Sequence, residues 1–179
     1  IEQKPYAYQE INGVKVEIPC SYVLKNNVLS FAVGNYDGTL PLIIDPTLIA
    51  ATYSGAGSDN WGFTATYDAG GNIYIGGIVT GAGYPFVAGS FDNTYNGGQA
   101  FSSTSWPMDI GLTKFNPTGT GILWSTYYGG SNNEQPHSLV VNANGELFVA
   151  GRTLSVNFPS TAGVFQPAKS GGYDIIVGK

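Results

Sequence analysis

Apolar and polar residues alternate along this chain in short runs, each closed by glycine, asparagine, aspartate or proline. Val14-Lys15-Val16-Glu17-Ile18 puts its apolar side chains on one face, as the two-residue period of a strand requires. Asn12-Gly13 separates this run from residues 6–10 and predicts a hairpin, because both central positions of the tight turn need positive φ. Further turns at Lys25-Asn26-Asn27 and Tyr36-Asp37-Gly38 divide the runs 22–24, 28–33 and 40–44. The pattern predicts an antiparallel β meander of about five strands over residues 1–46. It closes at Asp45-Pro46, where proline cannot donate to a ladder.

Beyond this point the pattern repeats. Residues 50–92 realign without a gap on residues 124–166, a spacing of 74. Thr52-Tyr53 falls on Thr126-Tyr127, Gly77 on Gly151, and Pro85, Gly89 and Phe91 on Pro159, Gly163 and Phe165. The last run realigns at a spacing of 65, Asp109-Ile110-Gly111-Leu112-Thr113-Lys114 on Asp174-Ile175-Ile176-Val177-Gly178-Lys179, so the first copy carries nine extra residues within 93–107. A period of this length marks one supersecondary unit stacked on its copies, because a single unit cannot bury its apolar face alone. Insertions in such arrays fall on loops of one face, often the binding face.

Four strands are predicted for each copy: 48–53, 63–67, 72–78 and 109–115 in the first, 122–128, 138–142, 146–152 and 174–179 in the second. Asn116-Pro117-Thr118-Gly119-Thr120-Gly121 has the turn chemistry of a linker. Four short antiparallel strands, repeated, are the signature of a propeller blade. The chain therefore reads as all-β: residues 1–46 as the end of a β-rich module, residues 47–121 as a first propeller repeat with an inserted loop at 93–107, and residues 122–179 as a second repeat cut short. About two blades make an incomplete propeller, and the sequence reads as a piece of a longer protein.

Composition narrows the picture. Gly at 26, Tyr at 12 and only 11% charged residues suit short aromatic strands and tight turns. The net charge is −5 and no Lys/Arg cluster occurs, so the footprint of a nucleic-acid binder is missing. No apolar run approaches the ~20 residues of a transmembrane helix. The single cysteine, Cys20, has no partner for an intramolecular disulfide and reads as a small buried side chain beside Pro19.

Trp124-Ser125-Thr126-Tyr127-Tyr128-Gly129-Gly130, the hairpin from Val140 to Gly151, Phe158-Pro159 and Gly172-Tyr173-Asp174 resemble the bacterial β-propeller repeats called SBBP. Lys4-Pro5-Tyr6-Ala7-Tyr8 through Leu42-Ile43-Ile44-Asp45-Pro46 resembles the β-rich module that commonly precedes them. The first copy departs from the repeat pattern in having Ala50-Ala51 for Trp-Ser. The resemblance implies a large exported protein of Bacteroidota-type bacteria, associated with type IX secretion and gliding motility, with no single activity to transfer. Its implied partners are proteins, the secretion or surface machinery, or a surface polysaccharide.

Candidate chemistry is sparse. Neither Gly-x-Ser-x-Gly nor His-Glu-x-x-His occurs, and the only histidine, His137, opens a predicted strand. Asp109 and Asp174 sit at equivalent positions before the last strand of each copy and are the candidates for a repeated Ca²⁺ site, against the simpler reading that each bonds backbone amides of the loop before it. Tyr84, Tyr95, Phe101 and Trp106 lie in or beside the long loop of the first copy and are the candidate binding residues, as aromatic faces suited to sugar rings or a protein surface. Against this, Tyr84, like its counterpart Phe158, would plug a blade, and Trp106 would cover a core edge. The favoured reading is a non-enzymatic secreted or cell-surface module for adhesion, binding or scaffolding. Its rival is a glycan-active extracellular enzyme whose catalytic residues, paired carboxylates in a pocket, would lie largely in blades beyond these two.

Overall fold

The computed structural model describes residues 4–26, 28–45, 50–98 and 107–179. The described residues form twelve β-strands and no helix, in two compact units, Ile1–Ile49 and Ala50–Lys179.

In the first unit β1 (Tyr6–Ile11) lies between β2 (Val14–Ile18) and β5 (Ile43–Asp45), antiparallel to both. β3 (Cys20–Lys25) and β4 (Val28–Val33) form a separate hairpin. The expected simple meander is thus corrected: the chain leaves the sheet after β2, makes its own hairpin, and returns to the far side of β1. Asn12 and Gly13 take φ of 53° and 78°, as the turn requires. Ala7, Ile18 and Cys20 form the small core, with Val33, Leu42 and Ile44 packed on it. Cys20 is buried there. The fully buried amide of Gln9 substitutes for a ladder along the returning segment: Nε2 donates to the carbonyls of Asp37 (2.7 Å) and Leu40 (3.1 Å), and Oε1 accepts the Asp37 N–H (2.8 Å).

The second unit holds two antiparallel sheets. The first has the order β6 (Asn60–Tyr67), β7 (Ile73–Val79), β8 (Asp109–Phe115), β9 (Ile122–Tyr128). The second has β10 (Glu134–Val141), β11 (Leu147–Thr153), β12 (Asp174–Gly178). The sequence repeat and the sheets are therefore out of phase by one strand. β9, the leading strand of the second copy, pairs with β8 of the first, Ile110 opposite Tyr128 and Leu112 opposite Thr126. Its first-copy counterpart is not a strand: 46–49 lie outside the described residues, and 50–54 run without a partner. β9 finds its partner in the strand before it, β8, whereas no strand of this unit precedes residue 50. Tyr127 is 2% exposed, whereas its counterpart Tyr53 is 95% exposed.

β6 and β10 begin three to four residues earlier than the alternation predicts, because each carries a β-bulge, between Gly62 and Thr64 and between Pro136 and Ser138. The bulge bends the strand toward its neighbour. A Cβ at Gly77 would collide with the Trp61 carbonyl, and one at Gly151 with the Gln135 carbonyl, which explains glycine at both equivalent positions. Tyr74, Ile110 and Leu112 of the first sheet meet Leu139, Val149 and Ile176 of the second in one core. The Leu139 N–H also donates to Thr64 Oγ1 at 3.2 Å, tying β10 to β6.

Candidate functional site

The most unusual chemistry of the second unit lies where its two sheets meet. Asp109 begins β8 and Glu134 begins β10, and both are fully buried. Gly129, just after β9, lets them approach: a Cβ there would collide with Asp109 Oδ1 and lie 2.7 Å from Glu134 Oε2. Glu134 is richly served. Its Oε1 accepts the hydroxyls of Thr153 and Ser155, the latter at 2.6 Å, and its Oε2 accepts the Gly130 N–H at 3.0 Å. Asp109 Oδ2 accepts the Asn96 N–H at 2.8 Å, but Oδ1 has no donor among the described residues. The two carboxyls thus approach each other over Gly129.

Two adjacent buried carboxyls cannot both carry charge cheaply. The donors decide which keeps the proton. The oxygens of Glu134 face three donors and those of Asp109 only one, so Asp109 is the carboxyl pushed toward its neutral form. Burial pushes Asp109 up to about 7, assisted by the charges of Glu134 and Asp92 against the Asn96 amide. Tyr95, beside it, is pushed up to about 12, by burial first and then by Asp109.

This arrangement bears on the metal candidates. Asp109 and Asp174 stand in unlike surroundings, because Asp109 faces Glu134 of the next copy, where the first copy has Asn60. Asn60 is itself engaged, accepting from Ser54 Oγ at 3.0 Å. Among the described residues no three metal-ligating side chains gather. Asp174 does what the simpler reading expected, accepting the N–H of Ile175 at 3.0 Å and of Ser170 at 3.4 Å.

The candidate aromatic residues separate. Tyr84 is buried, its hydroxyl 2.7 Å from Thr113 Oγ1 and its ring tilted against Tyr127 at 5.8 Å, so it plugs the sheet rather than offering a face. Tyr95, the individual residue of the inserted loop, is half-buried; its ring packs on Tyr127 at 6.0 Å and its hydroxyl donates to the Pro107 carbonyl at 2.8 Å. Phe101 and Trp106 lie outside the described residues.

A groove of about 780 Å³ lies elsewhere, between β9 and the end of β12, with Phe91, Trp124, Tyr128, Val149 and Lys179 among its lining. Tyr128 takes Phe158 edge-on at 4.7 Å and Phe91 at 6.1 Å. Neither Asp109 nor Glu134 lines it. The signal for Glu134 was present in the repeat: an acid stands where the other copy has an amide.

Residues 1–47 match a domain family of unknown function, DUF7948, which covers the strands of the first unit. No curated protein matches the chain.

Proposed function

We propose that this protein is a non-enzymatic β-propeller module, secreted or displayed at the cell surface, that works by binding or scaffolding. The pairing of β9 with β8 carries the reading, since the second copy thereby gives its leading strand to the sheet of the first, the link by which such repeats would form an array. The SBBP-like motifs supply the rest: export by the type IX route, a place among gliding-associated surface proteins, and adhesion to a protein or a surface polysaccharide. The rival, a glycan-active enzyme, would rest on Asp109 and Glu134. That pair is fully buried, and three of its four carboxyl oxygens accept from the protein's own donors, which favours a structural role.

The test is a glycan array together with binding of the labelled chain to intact cells. Saturable binding to a surface polysaccharide or surface protein is expected. No binding to any cell-surface material would remove the adhesion reading, and glycan cleavage lost in Glu134→Gln would restore the enzyme.

A further inference from the structure

In the first sheet β9 is held by more than its ladder. Ser125 Oγ donates to the Pro85 carbonyl. Thr126 Oγ1 accepts the Asp92 N–H at 2.8 Å, and the Tyr127 N–H donates to the Asp92 carbonyl at 3.0 Å. The Tyr127 hydroxyl accepts the Tyr84 N–H at 2.9 Å and donates to the Gly81 carbonyl at 3.2 Å. Ser-Thr-Tyr is thus read by backbone groups of one loop.

The 74-residue spacing carries Gly81, Tyr84, Pro85 and Asp92 onto Ser155, Phe158, Pro159 and Gln166, and the 65-residue spacing carries β8 onto β12. Among the described residues, no hydrogen bond is found for the N–H groups of Phe158 and Gln166 or for the carbonyls of Ser155, Pro159 and Gln166. β12 is the last strand of its sheet, and its outer edge is unpaired. Its Ile175 and Val177 are 80% and 76% exposed, whereas their counterparts Ile110 and Leu112 are buried beneath the second sheet. The groove opens beside this edge, with Gly178 and Lys179 in its wall.

The geometry points to the free edge of β12 and the loop over residues 155–166 as a preformed socket for one extended strand of the Ser-Thr-Tyr pattern, supplied by a further repeat of the same kind. This rests on the repeat reading above. Edge pairing gives such a contact its affinity, and the side-chain pattern gives it specificity. The register follows from β8 and β9: Ile176 faces the incoming tyrosine, Val177 the threonine and Gly178 the serine.

A synthetic peptide with the sequence of residues 122–130, titrated onto the full chain and followed by calorimetry and amide hydrogen exchange, tests the socket. Saturable binding is expected, with new protection at Phe158, Gln166 and the outer edge of β12. Phenylalanine for the peptide's first tyrosine should weaken binding roughly tenfold, because it strips two backbone groups of their partner. A parallel protein extended beyond Lys179 by the sequence of residues 116–130 should show the same protection and melt higher. Binding no tighter than that of a scrambled peptide, with no protection in the extended protein, would overturn the socket. Concentration-dependent association of the unmodified chain, lost in Tyr53→Phe, would replace the further repeat by a second copy as the occupant. The socket is read without any cell-surface ligand, so peptide binding alongside a blank surface screen removes only the surface-binding reading, and the reverse removes only the socket.

Discussion

Glu134 stands where the first copy has Asn60, and this one substitution places a second carboxyl beside Asp109 at the junction of the sheets. The consequence is a pH dependence of definite sign. Asp109 titrates near 3.8 when unfolded and near 7 when folded. Below about pH 4 both states hold the proton and stability is unaffected. Between pH 4 and 7 only the folded state holds it, so the stability it confers is lost as pH rises, by up to about 4 kcal/mol. Asp109→Asn keeps the shape and a donor toward Glu134 but cannot ionise. It should flatten the decline and exceed the parent in stability at pH 8 while matching it near pH 4. Urea denaturation at several pH values checks this through tryptophan fluorescence, which reports the second unit alone since Trp61, Trp106 and Trp124 all follow residue 50. An unchanged slope would place the proton elsewhere. The sequence disclosed Asp109 as a candidate but not its partner, because the spacing directed attention to Asp174, its copy, rather than to Glu134, its neighbour.

The same logic of substitution across copies operates at the scale of the strand. Asp68 closes the β6–β7 hairpin, accepting the N–H groups of Gly70 and Asn72, the Asn72 side-chain amide and the Tyr74 hydroxyl, and it pairs with Lys114 at 3.0 Å. The Asn72 amide first, and then Lys114, hold its carboxyl well below the usual range. In the second copy the roles are exchanged. Asn142 makes the turn, accepting from Asn144 and Glu146, and Glu146 pairs with Lys179 at 2.5 Å. The carboxylate has moved four residues along the chain while the lysine stays in place, over Tyr74 in one copy and Phe148 in the other. Asp68→Asn should therefore lower the melting temperature by about 2–4 °C, and adding Asn72→Glu should restore most of the loss by copying the second hairpin. Thermal melts of the single and double variants decide it, and a double variant no better than the single would refute the exchange. Alternation located β1, β2, β4, β7, β9 and β12 to within a residue or so, because each is a regular two-residue pattern between turn residues. It shortened β6 and β10, whose bulges at Gly62 and Pro136 break the period, and it placed a strand at 48–53 that has no edge to pair with.

For the whole molecule, the repeat was legible as a period but not as a phase. A spacing of 74 shows which residues are equivalent, yet it does not say where one sheet stops, and the division falls after β9 rather than before it. Equivalent strands consequently sit in unequal surroundings. β8 is paired on both edges and buried on its faces; β12 is paired on one edge only, with Ile175 and Val177 bare. Amides opening by local fluctuation exchange at free energies far below that of global unfolding, whereas amides locked between two strands exchange only when the sheet opens. The outward amides of β12 should therefore exchange orders of magnitude faster than their counterparts in β8, although the two strands hold equivalent places in the repeat. Native-state hydrogen exchange measured residue by residue checks this. Equal protection would mean that the free edge is already covered in solution, and the amides most protected against expectation would then locate whatever covers it.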